Sequence, residues 1–345
     1  MIKSITYKDL FGKAGNDNFI EFYDDLNIIT GQNGSGKTSL LKMLWYAISG
    51  RFDILVREVP FSYLEIVTDQ CNIVIDQRNE LIHLKIDFTN PANKDKGEDK
   101  DIKNYRLLPI IDKYHKSKYF PTFRRIEGGY TIVPKVGEAV ENNEIYEDFN
   151  HLSARLSSQV NYNHQFIAYV STNDLNRLLN DEIARNGILK EQINKDQRIK
   201  LGELLKQDNT KAMEALMVET ESKLTKADAG FMALHELVGT HLQKRISLTD
   251  NLVIGTGTTE PIHSQYLSAG EKQLFAFLCY NIFAQDASIF IDEPEISLHP
   301  NWQRQLIPLL QQQSSSNQFF MTTHSDVIAA PYQHREIELN IKKGY

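Results

Sequence analysis

The 345-residue chain is 41% hydrophobic and 24% charged with a formal net charge of −7, the profile of a globular protein with ample chain for a sizeable core. No apolar run is long enough to span a membrane, no signal-peptide stretch opens the chain, and the acidic balance provides no global field for nucleic acid. Cys71 and Cys279 sit among apolar neighbours and read as buried, reduced thiols, so the expected location is cytoplasmic, away from the membrane.

In chain order, residues 2–7 and 19–23 read as strands joined by the turn-rich Gly12-Lys13-Ala14-Gly15-Asn16. The apolar run Leu26-Asn27-Ile28-Ile29-Thr30 reads as a buried strand, and residues 39–45 have helical spacing. Between them stands Gly31-Gln32-Asn33-Gly34-Ser35-Gly36-Lys37-Thr38: glycine, four residues, then Gly-Lys-Thr. A tight Gly-rich turn between strand and helix lets backbone N–H groups close on phosphate oxygens, and the helix points the positive end of its dipole at them. The nucleotide is then bound by Asn33, Gly34, Ser35, Gly36, Lys37, Thr38 and Ser39, with Lys37 reaching the β- and γ-phosphates and the Thr38 hydroxyl holding Mg²⁺. The expected ligand is a nucleoside triphosphate.

Residues 62–67, 72–76 and 81–88 alternate as antiparallel strands, and the polar residues 89–100 read as an exposed loop. Between Lys94 and Arg125, ten Lys or Arg stand against five Asp or Glu. That excess suits either a solvated loop or a patch for DNA, RNA or an acidic protein. Leu175, Leu178, Leu179, Ile183 and Leu189 recur at helical spacing after the helix start Thr172-Asn173-Asp174. Met213, Leu216, Met217 and Leu224 form a second run and residues 231–246 a third. Two or three helices are therefore expected, without enough heptads for an extended coiled coil. The expected division is 1–172, a helical insertion over 173–246, and 247–345.

Leu267-Ser268-Ala269-Gly270-Glu271-Lys272-Gln273 is a small-residue turn opening a helix, which suits either an anion site or an ordinary capped helix. Ser288-Ile289-Phe290-Ile291-Asp292-Glu293 is an apolar strand ending in two acids. Ligands of open α/β sheets gather beyond the carboxyl ends of strands. A strand beside the phosphate-loop strand would bring Asp292 to the metal and Glu293 to the attacking water. Phe319-Phe320-Met321 leads into Thr322-Thr323-His324-Ser325 and puts His324 at a third strand end. His151 and His164 lack metal-ligand spacing and read as structural.

These residues resemble the ATP-binding-cassette ATPases: phosphate loop, signature turn at 267–273, Walker B acids Asp292 and Glu293, an Asp-loop at Ser297-Leu298-His299-Pro300, and the switch histidine His324. The resemblance covers about 1–60 and 250–330 and implies an α/β fold, a P-loop ABC-ATPase head with a mixed sheet, an antiparallel β subdomain and a helical insertion. It implies that Glu293, His324 and Lys37 are catalytic and that Thr38 and Asp292 ligate Mg²⁺. Ser268, Gly270 and Glu271 of one subunit would cap the ATP held by Lys37 of another, making the active unit a homodimer or higher homo-oligomer. A metal-sensing glutamine is also implied, read here as Gln159, with Gln165 nearly as good.

Ser268 to Gln273 and Ile291 to Pro300 look like the branch containing the SMC, RecF and OLD ATPases. Phe120-Pro121-Thr122-Phe123-Arg124-Arg125-Ile126-Glu127 looks like a segment of ATPases in bacterial anti-phage systems of the Septu and PARIS types. OLD proteins append a Toprim nuclease, whereas this chain ends shortly after His324, so the effector is expected to be a separate protein such as a nuclease. The expected function is an ATP-gated switch controlling that effector. The alternatives are a RecF- or SMC-like DNA-repair ATPase and an ATP-binding scaffold, with a transport ATPase disfavoured by the missing membrane span.

Overall fold

The computed structural model describes residues 1–78, 81–89, 97–99, 114–122, 163–167, 172–206, 209–241, 244–248, 252–256, 261–263, 268–313 and 316–339. They form two compact units: 1–169 with 284–308 and 314–345, and 170–283 with 309–313. In chain order the first unit opens with β1 (Ile2–Lys8), β2 (Asn18–Glu21), β3 (Leu26–Thr30), α1 (Lys37–Ile48) and α2 (Phe52–Glu58). It continues with β4 (Tyr63–Thr68), β5 (Cys71–Arg78), β6 (Leu81–Phe88), β7 (Gly97–Asp99), β8 (Ser117–Phe120) and β9 (His164–Phe166). The second unit holds α3 (Thr172–Lys206), α4 (Thr210–His241), β10 (Lys244–Leu248), β11 (Leu252–Thr256), β12 (Pro261–His263) and α5 (Ala269–Phe283). Last come β13 (Ser288–Asp292), α6 (Pro300–Gln312), β14 (Gln318–Thr322), α7 (Asp326–Ala329) and β15 (Glu336–Glu338).

The parallel and antiparallel strands of the first unit separate into two six-stranded sheets. The antiparallel one runs β2-β1-β4-β5-β6-β7, and β4 alternates buried with half-buried residues, as a sheet with one covered face requires. Here the expected exposed loop at 89–100 needs correction, because residues 97–99 pair with β6, Leu84 opposite Asp99. An edge strand presents unpaired backbone groups to any neighbour, so polar Gly97-Glu98-Asp99 pairs through its backbone without an apolar pattern.

The other sheet runs β15-β3-β14-β13-β8-β9, with every neighbour parallel. All five residues of β13 and of β14 are buried, the continuous apolar signature of strands covered on both faces. A second correction concerns strand order: β14 intervenes between β3 and β13, so the Asp292 strand is not beside the phosphate-loop strand. Periodicity identifies strands but carries no information on which of them are neighbours.

The ring of Phe290 stacks on Phe320 with centroids 5.0 Å apart, and Phe22 meets Phe320 edge-on at 5.0 Å. Trp45 of α1 lies 5.2 Å from Tyr119 of β8, and aromatic pairs of this kind add ~0.5–1.5 kcal/mol beyond the area they bury. Fully buried Gln318 joins the sheets, accepting from Ile2 N at 2.7 Å and donating to Ile2 O at 2.7 Å and Tyr23 O at 2.8 Å.

In the second unit, Leu175 and Leu179 of α3 and Leu216, Leu234, Leu237 and Val238 of α4 are buried. Asp228 of α4 ties the pair together, 2.6 Å from Lys190 and 2.9 Å from Asn186 of α3. The run expected at 231–246 is not a third helix. It completes α4, and Ile246 belongs to β10, opposite Ile254 of β11. Arg245-Ile246-Ser247-Leu248 fits a two-residue period as well as a helical one, an ambiguity inherent in short apolar runs. Among the described residues no helix is long and apolar enough to cross a membrane.

Candidate functional site

β3 delivers the chain into the turn 31–36, and α1 begins at Lys37. Gly31 and Gly36 are required by geometry. Gly31 has φ +142°, and a Cβ there would meet Leu339 O at 2.5 Å and Ser35 Oγ at 2.7 Å. Gly36, which caps α1, has φ 92°, a conformation that side-chain-bearing residues adopt at a cost. Within the loop Asn33 and Gly34 are exposed, Ser35 and Gly36 are buried, and Thr38 and Ser39 are half-buried. Lys37 is only 5% exposed, and its ammonium donates to Gly31 O at 3.0 Å and Gln32 O at 3.2 Å. Burial lowers its pKa, an effect opposed by the negative charges of Glu293, Asp292 and Glu295.

Although β14 separates the two strands, the Thr38 hydroxyl lies 3.1 Å from both carboxylate oxygens of Asp292. Asp292 is 2% exposed and receives two further hydroxyls: Thr322 donates to Oδ1 at 2.6 Å and Thr122 to Oδ2 at 2.8 Å. A buried carboxylate needs such donors to replace lost hydration. Thr122 and Thr322 were not assigned roles from the sequence. The one available signal is that each is a hydroxyl residue at or just past the carboxyl end of a short apolar run.

Glu293 adopts a left-handed conformation, φ 50° and ψ 59°, at the head of a short 3-10 turn begun by Pro294. Its N–H is held by Thr322 O and Thr322 Oγ1, both at 3.1 Å. A non-glycine residue in this region stores strain on the order of 1 kcal/mol or more, a cost found mainly at functional sites. His324 Nε2 lies 3.6 Å from Glu293 Oε1, an ion pair when the imidazole is protonated and too long for a direct hydrogen bond. The backbone N–H of His324 donates to Glu295 Oε1 at 2.6 Å. Gln303 of α6 secures the same corner, donating to Leu298 O at 2.9 Å and accepting from Ser325 Oγ at 2.8 Å.

The signature turn belongs to the second unit. The Ser268 N–H donates to Glu271 Oε2 at 2.8 Å, and Glu271 N–H donates back to Ser268 Oγ at 3.3 Å. This reciprocal pair is a capping box, the ordinary way to satisfy two orphan donors at a helix start. Gly270 is buried and Glu271 half-buried behind it.

Of the two glutamines, Gln165 lies on β9, one strand beyond β8, and accepts from Lys118 Nζ at 2.8 Å. Gln159 lies outside the described residues, as do His151, Arg124, Arg125 and all but Lys116 and Lys118 of the basic residues between Lys94 and Arg125. His164 is fully buried with Nδ1 2.7 Å from Ser117 Oγ. Cys71 and Cys279 are both free thiols in the interior.

The donor set fits the expected ligands. Ser35 Oγ, within the loop, is buried without a hydrogen-bond partner among the described residues, an unsatisfied group that an anion in the loop would suit. One carboxylate flanked by hydroxyls is a hard oxygen set suited to Mg²⁺ held jointly with substrate phosphates. Among the described residues no group of three or more His, Cys, Asp or Glu is placed to form an all-protein metal cage.

A sequence model of the family described as AAA ATPase domain matches residues 13–329. No curated protein matches the chain. Among solved structures, the Smc head domain with an extended coiled coil from Pyrococcus furiosus, bound to the C-terminal domain of ScpA, matches 95% of this chain and 91% of that chain at 15% identity, with a TM-score of 0.41. The Smc head bound to the C-winged helix domain of ScpA matches 95% of this chain and 91% of that chain at 14% identity and a TM-score of 0.44.

Proposed function

The chain belongs to the AAA ATPase domain family, and from that premise we propose that it is an ATP-hydrolysing conformational switch of the ATP-binding-cassette type. The observation that carries this reading is the contact of Thr38 with both oxygens of Asp292, with Glu293 and His324 paired at the adjoining strand ends. Lys37 and the loop amides would grip the β- and γ-phosphates, and Thr38 and Asp292 would hold Mg²⁺, which when bound would neutralise phosphate charge. Glu293 accepts the proton of the attacking water, and His324 steadies the Glu293 carboxylate from the neighbouring strand end.

Ser268 and Gly270 then cap the nucleotide of a second copy, with Glu271 holding their turn. The Ser268 oxygen accepts one bond from its own helix but keeps its O–H to donate to a phosphate. ATP closes a homodimer and hydrolysis reopens it, a population shift set by the nucleotide's preference for the closed state. The switch controls a separate effector such as a nuclease in anti-phage defence, the role suggested by the likeness of residues 120–127 to ATPases of such systems.

Glu293→Gln tests the reading. The variant is expected to keep ATP affinity, lose about 10²–10⁴-fold in turnover, and accumulate as an ATP-bound dimer by light scattering. Wild-type turnover in Glu293→Gln overturns it, as does full turnover of dilute monomer after Ser268→Ala. Hydrolysis stimulated by DNA and falling steeply with salt would select the DNA-repair reading over the defence role.

A further inference from the structure

We propose that Thr122, just past the carboxyl end of β8, is a positioning residue for the carboxylate of Asp292 that would bear the metal, doing what the resemblance assigns to a glutamine; the proposal rests on the ATPase reading above. β8 lies parallel beside β13, Ser117 opposite Ser288 and Phe120 opposite Ile291. The pairing stops at Pro121, which has no N–H to continue the ladder and whose ring fixes its φ. The next residue is thereby released from the strand, and its hydroxyl turns onto Asp292 Oδ2 at 2.8 Å.

The carboxylate is consequently held from both neighbouring strands. Thr322 of β14 engages Oδ1 at 2.6 Å, and Thr122 beyond β8 engages Oδ2 at 2.8 Å. Thr38 reaches both oxygens from α1 at 3.1 Å. A carboxylate has about four acceptor positions, and three hydroxyls with one O–H each restrain both of its oxygens while leaving acceptor capacity for the cation. Mg²⁺ tolerates little departure from octahedral geometry at about 2.0–2.1 Å. A pinned carboxylate therefore binds it better than one that must be ordered on binding. Thr322 cannot supply this alone, because it fixes only Oδ1 and is shared with the Glu293 N–H. Gln165 does not supply it either, since its side-chain oxygen is engaged by Lys118 on the far side of β8.

The test is metal binding, not turnover. Wild-type chain, Thr122→Val and Thr122→Ser are loaded with a non-hydrolysable ATP analogue, and Mn²⁺ is titrated and followed by electron paramagnetic resonance. Thr122→Val is expected to weaken Mn²⁺ binding about 10–100-fold, the usual cost of losing a group that orients a metal ligand, and Thr122→Ser to restore it. Analogue affinity in EDTA should match wild type, and the metal-free melting temperature should fall only by the loss of one hydrogen bond to a buried carboxylate, about a few degrees, and recover in Thr122→Ser. If Thr122→Val proves unstable, Thr122→Ala takes its place with the same expectation. Wild-type Mn²⁺ affinity in the Val or Ala variant, or failure of Ser to rescue, overturns the proposal while leaving the ATPase reading intact. If the wild-type chain binds no Mn²⁺ with the analogue present, the ATPase reading itself has failed.

Discussion

The Lys37 ammonium folds back onto the carbonyls of Gly31 and Gln32, and burial lowers its pKa against the pull of Glu293, Asp292 and Glu295. On the proposed reading, a charge held in such a place serves the ligand and not the fold. Lys37→Met is therefore expected to abolish ATP binding in calorimetry while leaving the nucleotide-free melting temperature equal or higher; a large drop in that temperature would contradict it. Thr322 makes the complementary case, since one hydroxyl donates to Asp292 and accepts from Glu293 N–H. Thr322→Val should lower kcat and raise the Mg²⁺ requirement, each about tenfold, with Thr322→Ser close to wild type. At this scale the phosphate-loop residues were legible because they are consecutive. The hydroxyls on Asp292 were not, for Thr122 lies 170 residues from it in sequence and Thr38 lies 254.

Strands β13 and β14 announce themselves as short apolar runs, and α1 by its spacing, because burial on one or both faces leaves a periodic mark on sequence. The absence of such marks misled at residues 97–99 and their presence at 231–246. In the first case backbone pairing alone made β7, and in the second one helix absorbed most of two apolar runs. Nothing periodic reveals Gln318, yet its amide spans the two sheets of the first unit through three hydrogen bonds. Gln318→Leu takes the side-chain partner from Ile2 N–H and Ile2 O, while Tyr23 O keeps Asn27 Nδ2 at 2.9 Å, at about 1–3 kcal/mol for each group left unsatisfied. A fall in melting temperature on the order of 10 °C is expected by calorimetry, and a fall of a degree or less would show that the bridge is dispensable. The signature turn reads equally well as an anion site and as a capping box, and its own hydrogen bonds satisfy the second description without preventing the first.

For the molecule as a whole, two buried histidines make stability depend on pH. Burial holds His115 down to about 4, with the N-terminal ammonium lowering it further and Asp69 opposing, and Cys71 and Thr68 lie against its ring. Burial likewise holds His164 down to about 3, helped by His115 and Lys118. Because both values lie below the ordinary 6.5, the unfolded chain binds protons that the folded chain refuses. Stability is thus complete above pH 6.5 and lost as pH falls toward 4, by up to about 3 kcal/mol per histidine. Urea melts between pH 7 and 4.5 should show this slope, and His115→Gln should flatten it; an unchanged slope would count against the assignment.

Nucleotide binding, which the AAA ATPase match supports, was legible in the sequence alone, since a phosphate-loop pattern is eight consecutive residues between a strand signal and a helix signal. The positions of Asp292, Glu293 and His324 at strand ends were legible for the same reason, as short apolar runs ending in characteristic groups. Only the tertiary structure decided that β14 lies between β3 and β13, and that Asp292 is gripped by hydroxyls from three separate elements. Strand order and side-chain partnership are settled by contacts between residues far apart in the chain, and such contacts leave no local pattern to read.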